Sequence, residues 1–181
     1  MLDFSKNYFE LFGLPIGYTL DRGDLAERYR ELQRVVHPDR FASASEQERR
    51  LSMQGSILIN EAFQILKDPM LRARYLLSLH GVEMGEGKES TQDMEFLMEQ
   101  MELREELAEA RDKADPFAVV SKIISGIDRR INGLIQQMTE QFESATPEQL
   151  AAAREIVLKM QFLQKLHQDA EALEAELEDA L

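Results

Sequence analysis

The chain has 181 residues, 44% of them hydrophobic, with nine Gly and five Pro: enough apolar material for one large core or two small ones, and few breakers for a largely helical fold. It contains no cysteine, which excludes disulfides, thiolate metal sites, cysteine-ligated iron-sulfur clusters and thiol catalysis by this chain. Of the formal charge of -13, residues 1–80 contribute nothing, with eleven basic and eleven acidic side chains, whereas residues 81–181 hold ten and twenty-three; repulsion from phosphate argues against nucleic acid as a partner of the second half.

In chain order, "NYFELFGLP" predicts a short aromatic helix carrying Tyr8, Phe9, Leu11, Phe12 and Leu14, stopped by Gly13 and Pro15. Its acidic surroundings do not fit a secretory leader, and no run of eighteen apolar residues occurs, so a soluble, cytoplasmic chain without membrane contact is expected. Asp21 then caps a second helix whose stripe of Leu25, Tyr29, Leu32 and Val36 repeats at intervals of four, three and four. Arg30 and Arg34 fall away from that stripe, with Glu27, Arg28 and Glu31 between, a pattern that by itself describes a solvated face.

The next stretch, "RVVHPDRF", gathers His37, Pro38, Asp39 and Arg40 in the connection to a third helix. Pro38 disfavours helical geometry at His37 and ends the second helix there. Nothing in the turn itself requires His and Asp. As an acid–base pair they would need a nucleophile and an enclosed pocket, and as metal ligands a third donor; His80 and His167 fall in unrelated helices, so neither an enzyme nor a metal site is expected. The third helix runs from about Ser45 to Lys67 with Leu51, Ile57 or Leu58, Ala62, Phe63, Ile65 and Leu66 as its apolar positions, and stops at Asp68 and Pro69. "LRARYLLSLHG" makes a fourth, ending at Gly81. "GVEMGEGKESTQ", with three glycines in seven residues, marks a linker over 81–92, dividing a first domain, 1–80, from a second, 93–181.

Three helices are predicted in the second domain. The first spans about Thr91 to Arg111. The second starts at Asp115 and Pro116 and carries Phe117, Val120, Ile124, Ile127, Ile131, Leu134 and Met138. Gly126 and Gly133 interrupt it, which close helix approach would offset. The third opens on the capping box "TPEQ" and continues through Leu150, Val157, Met160, Leu163 and Leu166. An antiparallel three-helix bundle satisfies all three stripes. The first of these helices has apolar residues to spare: Phe96, Leu103, Leu107 and Ala110 share one side, and Met94, Leu97, Met98 and Met101 lie nearly opposite. That second side either packs on the first domain or the linker, or is a docking face, for which methionines that repack around a partner are suited.

Taken together, "YFELFGLP", "HPDRF", "INEAFQILKDP", "RARYLLSLHG" and an acidic helical half containing "KMQFLQKL" resemble the HscB family, J-domain co-chaperones of iron-sulfur cluster assembly. The resemblance spans nearly the whole chain. It implies an all-α fold, a J-domain helical hairpin followed by the three-helix bundle, and a regulator with no catalytic residue or cofactor of its own. It further implies that His37, Pro38, Asp39 and Arg40, with Arg28, Arg30 and Arg34 of the second helix, dock on an HscA-type chaperone of the DnaK class and accelerate its ATP hydrolysis. The ATP site belongs to that partner, since this sequence has no Gly-rich phosphate loop with a lysine. From the second domain the family match carries over Leu97, Met98, Met101, Glu102, Glu105 and Phe162 as the surface for an IscU-type scaffold protein. Met101 stands where leucine is expected in the family, a change that keeps volume and polarity. A J-domain adaptor for some other client is the alternative.

Overall fold

The computed structural model describes residues 3–37, 45–85 and 89–179, and among them the chain is built from α-helices without strands. It divides into two compact units, Met1–Leu79 and His80–Leu181.

In the first unit α1 (Tyr8–Phe12), α2 (Arg22–Val36), α3 (Glu46–Lys67) and α4 (Pro69–Leu79) follow one another. Local chemistry sets each boundary. Asn7 and Glu10 close a capping box at the start of α1, and Gly13, at φ 64°, takes the left-handed conformation that ends it. Asp21 accepts from the Asp24 amide at 2.9 Å to open α2, and His37 leaves the helix with ψ 129°, the extended geometry imposed on a residue before proline. Ser45 and Glu48 cap α3 reciprocally, and Asp68 accepts from the Leu71 amide at 2.8 Å to start α4 behind Pro69.

α2 and α3 form an antiparallel hairpin. Its seam is fixed by Ser52 Oγ donating to the Val36 carbonyl at 2.6 Å, by Tyr29 stacking on Phe63 at 4.1 Å, and by Asn60 Oδ1 accepting from both Tyr29 Oη and Gln33 Nε2. α4 is anchored to α3 by Arg72, whose Nη1 donates to the Leu66 carbonyl at 2.6 Å while its guanidinium sits over the Tyr18 ring. Burial pushes the Arg72 guanidinium below its usual range and the Tyr18 phenol up to about 12.

The stripe of α3 departs from expectation. Ile59, Ala62 and Leu66 are buried with Ser52 and Gly55, whereas Leu58 is only half-buried and Ile57 is exposed. Residues 52, 55, 59, 62 and 66 fall within one arc of about 80° around the helix. Two small residues in that arc let α2 approach, so the core side is less apolar in sequence than the side next to it.

In the second unit α5 (Met94–Glu109) ends in a single 3₁₀ turn, Ala110–Asp112, before α6 (Pro116–Ser144) and α7 (Pro147–Asp179). α5 starts later than Thr91 because Asp93 is its cap, accepting from the Phe96 amide at 3.0 Å; Thr91 is buried and donates to Glu155 of α7 at 2.8 Å. Thr146 and Gln149 form the capping box read from "TPEQ". α5 runs alongside α7 in the same direction, matched by Asp93 with Lys159 and Phe96 with Phe162, and α6 runs opposite to both, matched by Glu99 with Arg130 and Asp128 with His167. Leu107, Val120, Ile123, Ile127, Leu163 and Leu166 make the core. On α6 the buried arc centres on Val120, Ile123 and Ile127, leaving Phe117 exposed and Ile124 at its margin. Close approach does not explain the α6 glycines: a Cβ added at Gly126 or Gly133 would meet nothing within 4 Å.

Candidate functional site

Two surfaces, one on each unit, hold the residues singled out from the sequence. The first lies at the end of the α2–α3 hairpin. His37 is exposed at the C-terminal cap of α2; Pro38, Asp39 and Arg40 lie outside the described residues. Successive helical residues turn by about 100°, so Arg30 and Arg34 stand about 40° apart on the outward side, and both are exposed. Arg28 does not join them. It lies about 120° from Arg34 around the helix, half-buried, with Nε 3.2 Å from Asp24 and one guanidinium nitrogen 3.3 Å from where a Cβ of Gly13 would be. The two outward arginines thus form a cationic edge beside the helix-end histidine, and Arg28 lies against Gly13 at the end of α1.

The second surface is the outer side of α5. Met94, Met98 and Met101 are 68%, 60% and 70% exposed, Glu102 and Glu105 are exposed beside them, and Leu97 is half-buried at the edge. On the other side of the same helix, Phe96 and Leu103 pack against the core to which Leu107 and Ala110 belong, so the two apolar sides of α5 have different fates. Phe162 is half-buried on α7 and meets Phe96 edge to face, with ring centroids 6.4 Å apart, so this contact joins it to the inward side of α5 and not to the methionine side. Asp93 fixes the start of α5 against α7 through Lys159 at 2.6 Å, and that hydrogen bond, with the cap on the Phe96 amide, holds its carboxyl below the usual range. Lys159 also lies over the Phe96 ring, with Nζ 5.5 Å from the centroid.

Gln100 was not legible as special. It points inward, 3% exposed, and neither its Nε2 nor its Oε1 has a hydrogen-bond partner among the described residues. His167 is held between two carboxylates, with Nε2 3.1 Å from Asp128 and Nδ1 3.3 Å from Glu171. Its two nitrogens point to different partners, an arrangement that ties α6 to α7 and brings no ligands together.

A helical hairpin of this kind followed by an antiparallel three-helix bundle is the all-α architecture of a J-domain joined to a C-terminal helical bundle. Comparison with known proteins agrees. Residues 92–180 match the family model described as the HSCB C-terminal oligomerisation domain. The co-chaperone protein HscB homolog of Shewanella baltica is 43% identical over 173 residues, covering 96% of this chain and 99% of that one. Among solved structures, the chaperone HscB from Vibrio cholerae superposes with a TM-score of 0.85 at 42% identity over 95% of this chain and 99% of its own. The human co-chaperone protein HscB gives a TM-score of 0.85 at 32% identity, over 94% and 83%. The chain belongs to the HscB family of co-chaperones. Among the described residues no helix is long and apolar enough to cross a membrane.

Proposed function

We propose that this co-chaperone is a two-ended adaptor: the bundle holds an IscU-type iron-sulfur scaffold, and the J-domain delivers it to an HscA-type chaperone of the DnaK class and stimulates that chaperone's ATPase, promoting cluster maturation and transfer. The observation that carries the reading is the exposed methionine side of α5, 60% to 70% open on a helix whose other side already serves the core. Such a side is adapted to burial elsewhere, and its methionines adjust to a partner's contours. Leu97, Met98 and Met101 would carry the apolar contact, Glu102 and Glu105 the flanking charge, and Phe162 a contact from α7.

At the other end, His37, Pro38, Asp39 and Arg40 would engage the chaperone, with Arg30 and Arg34 steering the approach, while Arg28 stands apart from that edge, paired with Asp24. Exposed arginines act mainly on association rate and orientation, and their effect weakens as salt rises. Chemistry stays in the partner, where ATP is bound. The complex with the scaffold is cytoplasmic and transient: burying three apolar side chains contributes about 5 to 9 kcal/mol gross, much of which association entropy offsets.

Steady-state ATPase of the chaperone tests it. The wild-type chain should stimulate turnover, further with scaffold present, and His37→Gln should not; full stimulation by His37→Gln would remove the J-domain end from the proposal. An adaptor for another client would show stimulation intact and no binding of the scaffold.

A further inference from the structure

Met53 is 65% and Ile57 60% exposed, one helical turn apart on α3. Around that helix they stand about 100° and 140° from Ser52, just beyond Asn60 at about 80°. Around α2, His37, Arg30 and Arg34 stand about 100°, 120° and 160° from Val36, just beyond Gln33 at about 60°. Ser52 Oγ bonds the Val36 carbonyl at 2.6 Å and Gln33 Nε2 bonds Asn60 Oδ1 at 2.6 Å, so these two contacts put both sets on the same side of the hairpin. One surface therefore runs from the cationic edge of α2, across the Gln33–Asn60 seam, to an apolar strip on α3. Arg49 continues the strip toward the start of α3 and is exposed.

We infer that Met53 and Ile57 are the apolar part of the chaperone-docking surface, resting on the proposed contact of His37, Arg30 and Arg34 with the same partner. The occupant is the chaperone itself, presenting apolar side chains bordered by carboxylates. Two features select it. The strip is continuous with the cationic edge, so a body large enough to reach both arginines covers Met53 and Ile57 as it docks. Arg30 and Arg49, both exposed, also give this side basic groups suited to an acidic rim, while Glu46 on the same side is paired with Arg50. Charges on such a surface set rate and orientation, whereas a desolvated apolar centre slows dissociation. Met53 and Ile57 supply what the arginines lack.

The test is a titration of the cognate chaperone's ATPase with the full chain, using Met53→Ser with Ile57→Ser, Met53→Leu with Ile57→Leu, and His37→Gln in parallel. Because both positions are exposed, neither double variant should disturb the helices, and circular dichroism checks this. The serine pair should raise the half-saturating concentration about tenfold while approaching the same maximum, as loss of two interfacial apolar side chains does, and the leucine pair should restore it. Unchanged half-saturation with the serine pair, alongside loss of stimulation by His37→Gln, overturns the α3 assignment and leaves the adaptor reading in place. Full stimulation by His37→Gln would instead remove the reading on which it rests. Self-association of the wild-type chain that the serine pair abolishes, with stimulation unaltered, would give the strip to a second copy and also overturn the inference.

Discussion

The end of the α2–α3 hairpin and the outer side of α5 both face solvent, and they are built on opposite plans. At the hairpin a helix stops because proline follows, and an imidazole and two arginines stand out from an electrically neutral half of the sequence. On α5 nothing stops: apolar residues occupy both sides of one continuous helix in the acidic half, and only one side meets the core. A displayed charge costs little in water and gives orientation. Displayed methionine is stable only because the core side of the same helix, and the ties to α7, hold α5 in place without it.

That contrast predicts a separation of stability from binding. Leu163 is fully buried in the bundle, and Leu163→Ala should lower unfolding stability by about 3 kcal/mol. Met98→Ala with Met101→Ala should change it by less than about 0.5 kcal/mol, as exposed substitutions do. Urea unfolding of both variants decides this, and a large loss from the methionine pair would mean that the outer side of α5 is structural. The next effect is on binding: Leu97→Ala with Met101→Ala should weaken scaffold affinity about thirtyfold, roughly 2 kcal/mol, in a calorimetric titration. Stimulation of the chaperone without scaffold should be unaffected.

Much of the fold was legible because local signals agreed with one another. Gly13, Asp21 with His37, Pro116 and "TPEQ" each pair a cap or a break with a stripe, and every one bounds a helix, whereas the capping boxes at Asn7 and Ser45 appear only in the structure. The arc of α3 was misread because burial there follows small residues: Ser52 and Gly55 are inside, Ile57 outside, and hydrophobicity alone cannot rank them. The two sides of α5 were visible as a pattern, but which one packs depends on the partners across the bundle, Phe162 and the α6 core. The family resemblance grouped Arg28 with Arg30 and Arg34, whereas the helical turn already set it apart from them, and Asp24 pairs with it. No sequence pattern marked Gln100, a polar residue placed in an apolar arc.

Gln100 offers the third way to sharpen the contrast. A buried amide without hydrogen bonds costs about 1 to 3 kcal/mol, whereas an apolar side chain of the same shape does not. Gln100→Met should therefore stabilise the bundle by about 1 kcal/mol in urea unfolding, with scaffold affinity unchanged if the outer side of α5 alone makes the contact. A loss of affinity would mean that the amide reaches the partner, and the division between the two sides of the helix would have to be redrawn.

The smallest expected effect concerns α6, which has a core side but no displayed site assigned to it. Gly126 and Gly133 lie inside its 29 residues, each with helical geometry and with no atom within 4 Å of an added Cβ. Glycine in a helix interior is less favourable than alanine by roughly 0.8 to 1.0 kcal/mol, because the unfolded chain has more conformations to lose. Where space is open and φ is helical, alanine restores most of that difference. Gly126→Ala and Gly133→Ala should each raise the urea midpoint, by somewhat under 1 kcal/mol in stability, and together add nearly independently because they are seven residues apart. If either one lowers stability, the unfilled space beside it is needed by a motion of α6 rather than left over from packing. In that case, unlike on α5, a functional property of the bundle would reside in a helix with no exposed face set aside for it.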